Sequence, residues 1–199
     1  MTDPKTNSIL DEGNRLFLQG NFEQAINYYD KILDDDPKHV SSLNNKGYAL
    51  SKLKDFTNAM KCYDAALKIS PDDLSVLINK ISSFRKQGNL VEALMICDNI
   101  LKNNKNYNIV LYHKERILFS MKKFDESISC CNSILEDYPN NGDVLFDKAS
   151  SFAMLSNFDD ALNLLEHAIS QGTQYKIKAK KSKSFENLSN NTRFQNLIS

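Results

Sequence analysis

The chain has 199 residues, 41% apolar and 25% charged, with 25 basic and 25 acidic side chains, four Cys and no Trp. A formal charge of zero excludes a bulk electrostatic grip on nucleic acid, and no apolar run approaches 18 residues, so no transmembrane helix is expected. The charge is uneven: residues 1–175 carry 19 basic and 24 acidic side chains and residues 176–199 six basic and one acidic, so any attraction for anions belongs to the tail.

The opening MTDPKTNSILDEGNRLF lacks a basic region followed by an apolar stretch, so no secretory signal is expected. With that, Cys62, Cys97, Cys130 and Cys131 read as free thiols in a reducing, cytoplasmic setting. After a short or disordered lead at 1–5, one pattern recurs five times, at 6–39, 40–73, 74–107, 108–141 and 142–175. Counting positions from 1 to 34, the first copy has apolar Ile9 and Leu16, a Gly20-Asn21 break, then Phe22, Ala25, Ile26, Tyr29 and Ile32-Leu33, and closes on Pro37. The second repeats this with Leu43, Leu50, Phe56, Ala59, Met60, Tyr63 and Pro71. The third has Leu77, Phe84, Leu90, Ala93 and Cys97, with Lys105 in the proline slot. The fourth has Leu111, Leu118, Phe124, Ser127, Cys131 and Pro139, and the fifth Leu145, Phe152, Phe158, Ala161 and Leu165.

Steps of three, four and seven place these apolar residues on one face of a helix. The break at positions 15 and 16 separates two such runs, and Gly and Asn there suit a helix end with left-handed backbone. Proline near position 32 ends the second run. Each copy is predicted as helix A, a tight turn, helix B and a loop. The small residue at position 20 lets the two helices approach, and a bulky replacement there should cost roughly 1–3 kcal/mol. A fixed period of this size means stacked hairpins rather than one globular core.

The pattern resembles the tetratricopeptide repeat family. The resemblance rests on the apolar residues at 4 and 11, Gly13 and Gly47 at 8, Ala at 20, Tyr at 24, Ala66 and Ala168 at 27, and Pro at 32. Ile81 and Glu115 at position 8, Ser127 at 20 and Lys105 at 32 depart from it. The resemblance implies an all-α, right-handed α-solenoid (superhelix) of about five helix-turn-helix repeats. A basic C-terminal capping segment at 176–199 is expected to follow, with a short helix over Tyr175–Ser182 and with Phe185, Leu188, Phe194 and Leu197 packing back on the last repeat. Asn191-Thr192 stands where such tails have Asp-Pro.

In the family, helices A line the concave side. That implies a peptide groove at Asn14, Asn45, Tyr48, Asn79, Ser82, Arg85, Tyr112, His113, Arg116 and Phe146. A charge reversal of Arg85 and Arg116 together is expected to weaken a partner. The family's two-carboxylate clamp for chaperone tails is not expected, because its three cation slots hold Leu10, Ser75 and Asn79.

Nothing in the chain reads as catalytic. The Cys have no close paired ligands, so buried thiols are the simpler reading. His39, His113 and His167 share no register. Asp34-Asp35-Asp36 and Asp72-Asp73 read as solvated charges or helix-start residues. The expected function is a non-catalytic protein–protein scaffold with no cofactor and no metal. The alternatives are nucleic-acid or anionic-ligand binding through the basic tail, and self-assembly. The partner and the oligomeric state are not legible.

Overall fold

The computed structural model describes residues 4–103 and 107–199, with Asn103 described by its backbone only. The first three residues of the lead and Lys105 lie outside the described residues. All regular structure among the described residues is helical. The chain divides into two compact units, one ending at Ala93 and the other beginning at Leu94.

In the first unit, α1 (Pro4–Leu18) and α2 (Phe22–Asp35) form one hairpin and α3 (Val40–Lys52) and α4 (Phe56–Ile69) the next, followed by α5 (Leu74–Gln87). Pro4 and Lys5 belong to α1 rather than to an irregular lead, in keeping with proline's preset φ and dispensable N–H in a first turn. Helix α6 (Leu90–Asn103) contains the division. The second unit continues with the hairpins α7 (Asn108–Ser120) with α8 (Phe124–Asp137), and α9 (Gly142–Met154) with α10 (Phe158–Gln171). It ends in α11 (Gln174–Lys181), a 3₁₀ helix at Lys183–Leu188 and α12 (Thr192–Ile198). Helices α1 to α5 each pack on the next in chain order, as do α7 to α12, and alternate helices (α1 with α3, α3 with α5, α7 with α9) also touch. The A helices of a unit therefore lie side by side.

The turn inside each hairpin has one geometry in all five copies. Position 15 is left-handed at Gly20 (φ 82°), Lys54 (66°), Gly88 (89°), Lys122 (61°) and Ser156 (62°). The next amide reaches back to the position-11 carbonyl: Asn21 to Leu16, Asp55 to Leu50, Asn89 to Phe84, Lys123 to Leu118 and Asn157 to Phe152, at 2.9 to 3.0 Å. The position-15 amide itself bonds the position-12 carbonyl. This paired closure of orphan carbonyls is the Schellman ending of a helix. Only two of the five residues that adopt it are glycines. Between copies, the side chain at position 34 caps the following helix in three of four cases, Tyr107 being the exception. Asp73 accepts from the amides of Ser75 and Val76, Asn141 from Val144, and His39 Nδ1 from Ser42 at 3.2 Å.

Complementary sizes fix the distance between helices A and B. A Cβ on Gly13 would lie 2.7 Å from the Tyr29 ring, and one on Gly47 2.7 Å from Tyr63. Each glycine makes room for the buried tyrosine at position 24. In the second unit the corresponding pairs are Ala149 with Leu165, both in one core, and Glu115 beside Cys131. Glu115 is buried and accepts a hydrogen bond from Ser127 Oγ at 3.1 Å, and Ser127 meets Ser151 at 3.1 Å. The two departures of the fourth copy, at positions 8 and 20, are thus one change: the hydroxyl at 20 serves the carboxyl at 8. A repeated ion pair ties the first four copies in succession, from position 25 to position 7: Asp30 with Lys46, Asp64 with Lys80 at 2.6 Å and Asp98 with Lys114 at 2.7 Å.

The C-terminal segment covers the apolar face of the last hairpin. Tyr175, Ala179, Phe185, Leu188 and Phe194 are buried in one core with Leu145, Phe146 and Leu165, and Leu197 packs against it. Gly142 leaves room for Tyr175, whose ring would lie 2.6 Å from a Cβ there. Asn191 does the work of the absent Asp by accepting from the Phe194 amide at 3.0 Å, which starts α12. Lys178 bonds Asp143 at 2.6 Å and Arg193 bonds Glu166 at 2.8 Å, so two of the tail's cations clamp the cap. No described helix is long and apolar enough to cross a membrane.

Candidate binding surface

In the first unit, amides link neighbouring A helices. Asn45 Nδ2 donates to Asn14 Oδ1 at 2.8 Å, joining α3 to α1, and Asn79 Nδ2 donates to Asn44 Oδ1 at 3.0 Å, joining α5 to α3. Tyr29 OH reaches from α2 to the same Asn14 oxygen at 3.0 Å. Asn14, Asn45 and Asn79, each half-buried, therefore form a polar row in which Asn45 and Tyr29 hold Asn14 and Asn44 holds Asn79. Tyr29 is only 1% exposed, and burial pushes its hydroxyl up to about 12, so it stays a neutral donor.

Beside the row lies a recess of about 300 Å³ lined by Asn14, Phe17, Leu18, Tyr29, Asn45 and Tyr48. The Phe17 and Tyr48 rings pack at 4.9 Å, and Leu18 stands 84% exposed at its rim. The recess thus combines aromatic walls with amide groups that can meet a peptide backbone. Ser82 and Arg85 sit half-buried on α5. Behind this surface, Ser83 Oγ donates to Ser51 Oγ at 2.7 Å and meets Tyr63 OH at 3.3 Å, a buried hydroxyl chain that ties α3, α4 and α5 together.

In the second unit, Arg116 on α7 donates to Tyr112 OH at 3.1 Å and lies 5.4 Å from that ring's centroid. His113 meets Tyr112 edge-on at 6.4 Å. A pocket of about 390 Å³ runs past Asn108, Ile109, Tyr112, Tyr138, Asn141 and Asp143. Asp147 on α9 is pushed up to about 6, chiefly by burial and also by Asp143, against the opposing pull of Arg116 and Lys178. Asp143 is held low by its hydrogen bond to Lys178. Phe146 is placed differently from its neighbours: it is 8% exposed and packs on Tyr175 at 5.8 Å and Phe185 at 5.6 Å, under the C-terminal segment.

The groups that most often carry chemistry have structural settings. Burial pushes the thiols of Cys97 to about 12, of Cys130 to about 11 and of Cys131 higher still, which keeps them protonated and poorly nucleophilic. His39 caps α3, and His167 meets Asn140 at 3.1 Å. Among the described residues no group of three His, Cys, Asp or Glu is placed to hold a metal ion.

Comparison with known proteins agrees with this geometry. The family model for the tetratricopeptide repeat matches residues 10–73. Among solved structures, YrrB, described as a tetratricopeptide repeat protein with an unusual peptide-binding site, is 20% identical. The match covers 87% of this chain and 91% of that one, with a TM-score of 0.67. A tetratricopeptide repeat protein from Parabacteroides merdae is 16% identical over 98% of this chain and 78% of its own, with a TM-score of 0.81. MamA is 18% identical over 89% and 96%, at 0.70. At such identities the likeness is one of fold. No match was found among curated protein sequences.

Proposed function

The chain is a tetratricopeptide repeat protein, and from that premise we propose that it is a non-catalytic cytoplasmic scaffold whose A helices, in five repeats over 6–175, hold a peptide or helix of a partner protein. The observation that carries this reading is the asparagine row of the first unit, Asn14, Asn45 and Asn79, beside the recess of Phe17 and Tyr48. Amides fixed by their neighbours lose little freedom when they meet a ligand's backbone, and an aromatic recess gains from burying one apolar side chain. Tyr112 and Arg116 offer a second aromatic and cationic contact on the A helix α7. The chaperone-tail clamp is not part of the proposal, since Leu10, Ser75 and Asn79 fill its cation slots. The engagement of Lys178 and Arg193 in ion pairs favours a capping role for the basic tail over an anion-binding one.

Selection of a displayed peptide library on the whole protein tests the reading. Selected peptides should bind Asn45→Ala and Tyr48→Ala variants about tenfold or more weakly, with helical circular dichroism unchanged. Reversal of Arg85 to Glu in the first unit, or of Arg116 to Glu in the second, should weaken an acidic peptide held by that unit. Equal affinity of all these variants in titration calorimetry would remove the assignment to the A helices.

A further inference from the structure

Two features of the first unit meet at one side chain. Tyr48 lines the recess with Phe17 and Leu18. The same ring has Lys52 Nζ at 5.1 Å and Lys86 Nζ at 5.9 Å from its centroid. Lys52 comes from the last turn of α3, and Lys86, with Arg85 beside it, from the last turn of α5. Cations at a helix C-terminus are favoured by the helix dipole. That accounts for a lysine on each helix but not for their convergence on one ring from two helices.

The surroundings sharpen the contrast. The other lysines on the inner length of these A helices, Lys46 and Lys80, are neutralised by Asp30 and Asp64. Lys52 and Lys86 take part in no ion pair among the described residues. Burial, with Lys52 and Arg85 nearby, depresses the Lys86 ammonium below its ordinary range. Among the described residues, then, no carboxylate pairs with Lys52 or Lys86, in a stretch, 1–175, where acidic side chains outnumber basic ones.

We propose that the first unit binds an extended peptide carrying an acidic side chain within two residues of a bulky apolar one. The apolar side chain enters the recess between Phe17, Leu18 and Tyr48, and the carboxylate lies between Lys52 and Lys86. Successive Cα atoms are about 3.8 Å apart, so one or two residues span the separation from the ring to either ammonium. The inference rests on the groove reading above and adds the chemistry of the occupant. It uses Tyr48 at position 9, Phe17 at 12 and Leu18, Lys52 and Lys86 at 13, none of which is a cation slot of the chaperone-tail clamp.

The test is a set of fluorescent, amidated octapeptides with one position fixed as Phe, Leu or Ala and the next two as Glu, Gln or Lys. The remaining positions are randomised, and binding is measured by anisotropy. The wild-type chain should prefer Glu over Gln, and Phe or Leu over Ala, by about tenfold each. The Lys52→Gln/Lys86→Gln variant, helical by circular dichroism, should lose the Glu preference and keep the apolar one. Binding with no Glu preference, or a Glu preference that survives in the variant, overturns this inference while leaving the groove reading standing. Absence of binding by every peptide in the set overturns the groove reading itself. A parallel set with free C-termini and Gln at both positions distinguishes a chain-terminal carboxylate. If that set alone binds tightly, the lysines read a chain end and the side-chain proposal fails.

Discussion

The two units build the same hairpin from different residues. In residues 4–93, two of the three A helices place glycine against a buried tyrosine, at Gly13 with Tyr29 and Gly47 with Tyr63. In residues 94–199, the same slots hold Ala149 with Leu165 and a buried Glu115 beside Cys131. The first unit keeps its A-helix side chains at an open recess, whereas the second has Phe146 sealed by the C-terminal segment. The repeat thus constrains the summed volume across the A–B contact, not the identity of either residue, and it leaves the A-helix surface free to be used or covered.

The largest effect expected from breaking this contrast is local to the second unit. Phe185→Ala removes a fully buried ring from the cap and should destabilise that unit by about 3–5 kcal/mol. Hydrogen exchange of the full chain should show faster exchange in α9 and α10 than in α1 to α4. In the first unit, Gly47→Ala should cost about 1–3 kcal/mol, because the new methyl meets a ring with no room to move. Adding Tyr63→Leu imports the second unit's alanine–leucine pairing, and denaturation midpoints should show much of the loss recovered.

Titration separates the units next. The folded-state pKa of Asp147 stands near 6, above its usual 3.8, so the folded chain holds a proton there that the unfolded chain releases. Its contribution to stability is greatest below about pH 4 and is lost as pH rises through about 6. Arg116, Asp143 and Lys178 are the charged groups that act on it. Asp147→Asn should flatten that part of the stability profile followed by urea unfolding. Smaller gains come from the turns. The second unit's hairpins place Lys122 and Ser156 in left-handed backbone, where two of the first unit's three turns have Gly20 and Gly88 and the third Lys54. Lys122→Gly and Ser156→Gly should each stabilise by up to about 1 kcal/mol, read from the melting temperature. The smallest effect is Asn132→Asp, which supplies Lys148 with the partner that Lys46, Lys80 and Lys114 already have. A gain of about 0.3 kcal/mol, lost in high salt, is expected.

The helices and their order were legible because the apolar spacing repeats without insertion and the same backbone ending closes every A helix. Packing detail was legible only in part. The departures at Glu115 and Ser127 look like two defects in a linear reading, since nothing in the sequence marks residues twelve apart as hydrogen-bonded. Listing positions 8 and 24 side by side would have revealed the exchange of volume between them. Phe146 occupies a groove slot by register, but register does not report what a later segment lays over it. Tyr29 reads as core from its position, and its hydroxyl still reaches the surface row. The convergence of Lys52 and Lys86 on Tyr48 was not legible, because it depends on how two helices are set together.

The ion pair from position 25 to position 7 has a consequence for how such a chain changes length. Excision of residues 40–73 as a block brings Asp30 and Lys80 into the sequence relation that Asp30 and Lys46 now have. Excision of 108–141 does the same for Asp98 and Lys148 and gives that lysine an aspartate it now lacks. Because three of the four seams have the same electrostatic fastening, gene-level loss or duplication of a whole 34-residue block preserves that joint, while any other length mismatches it.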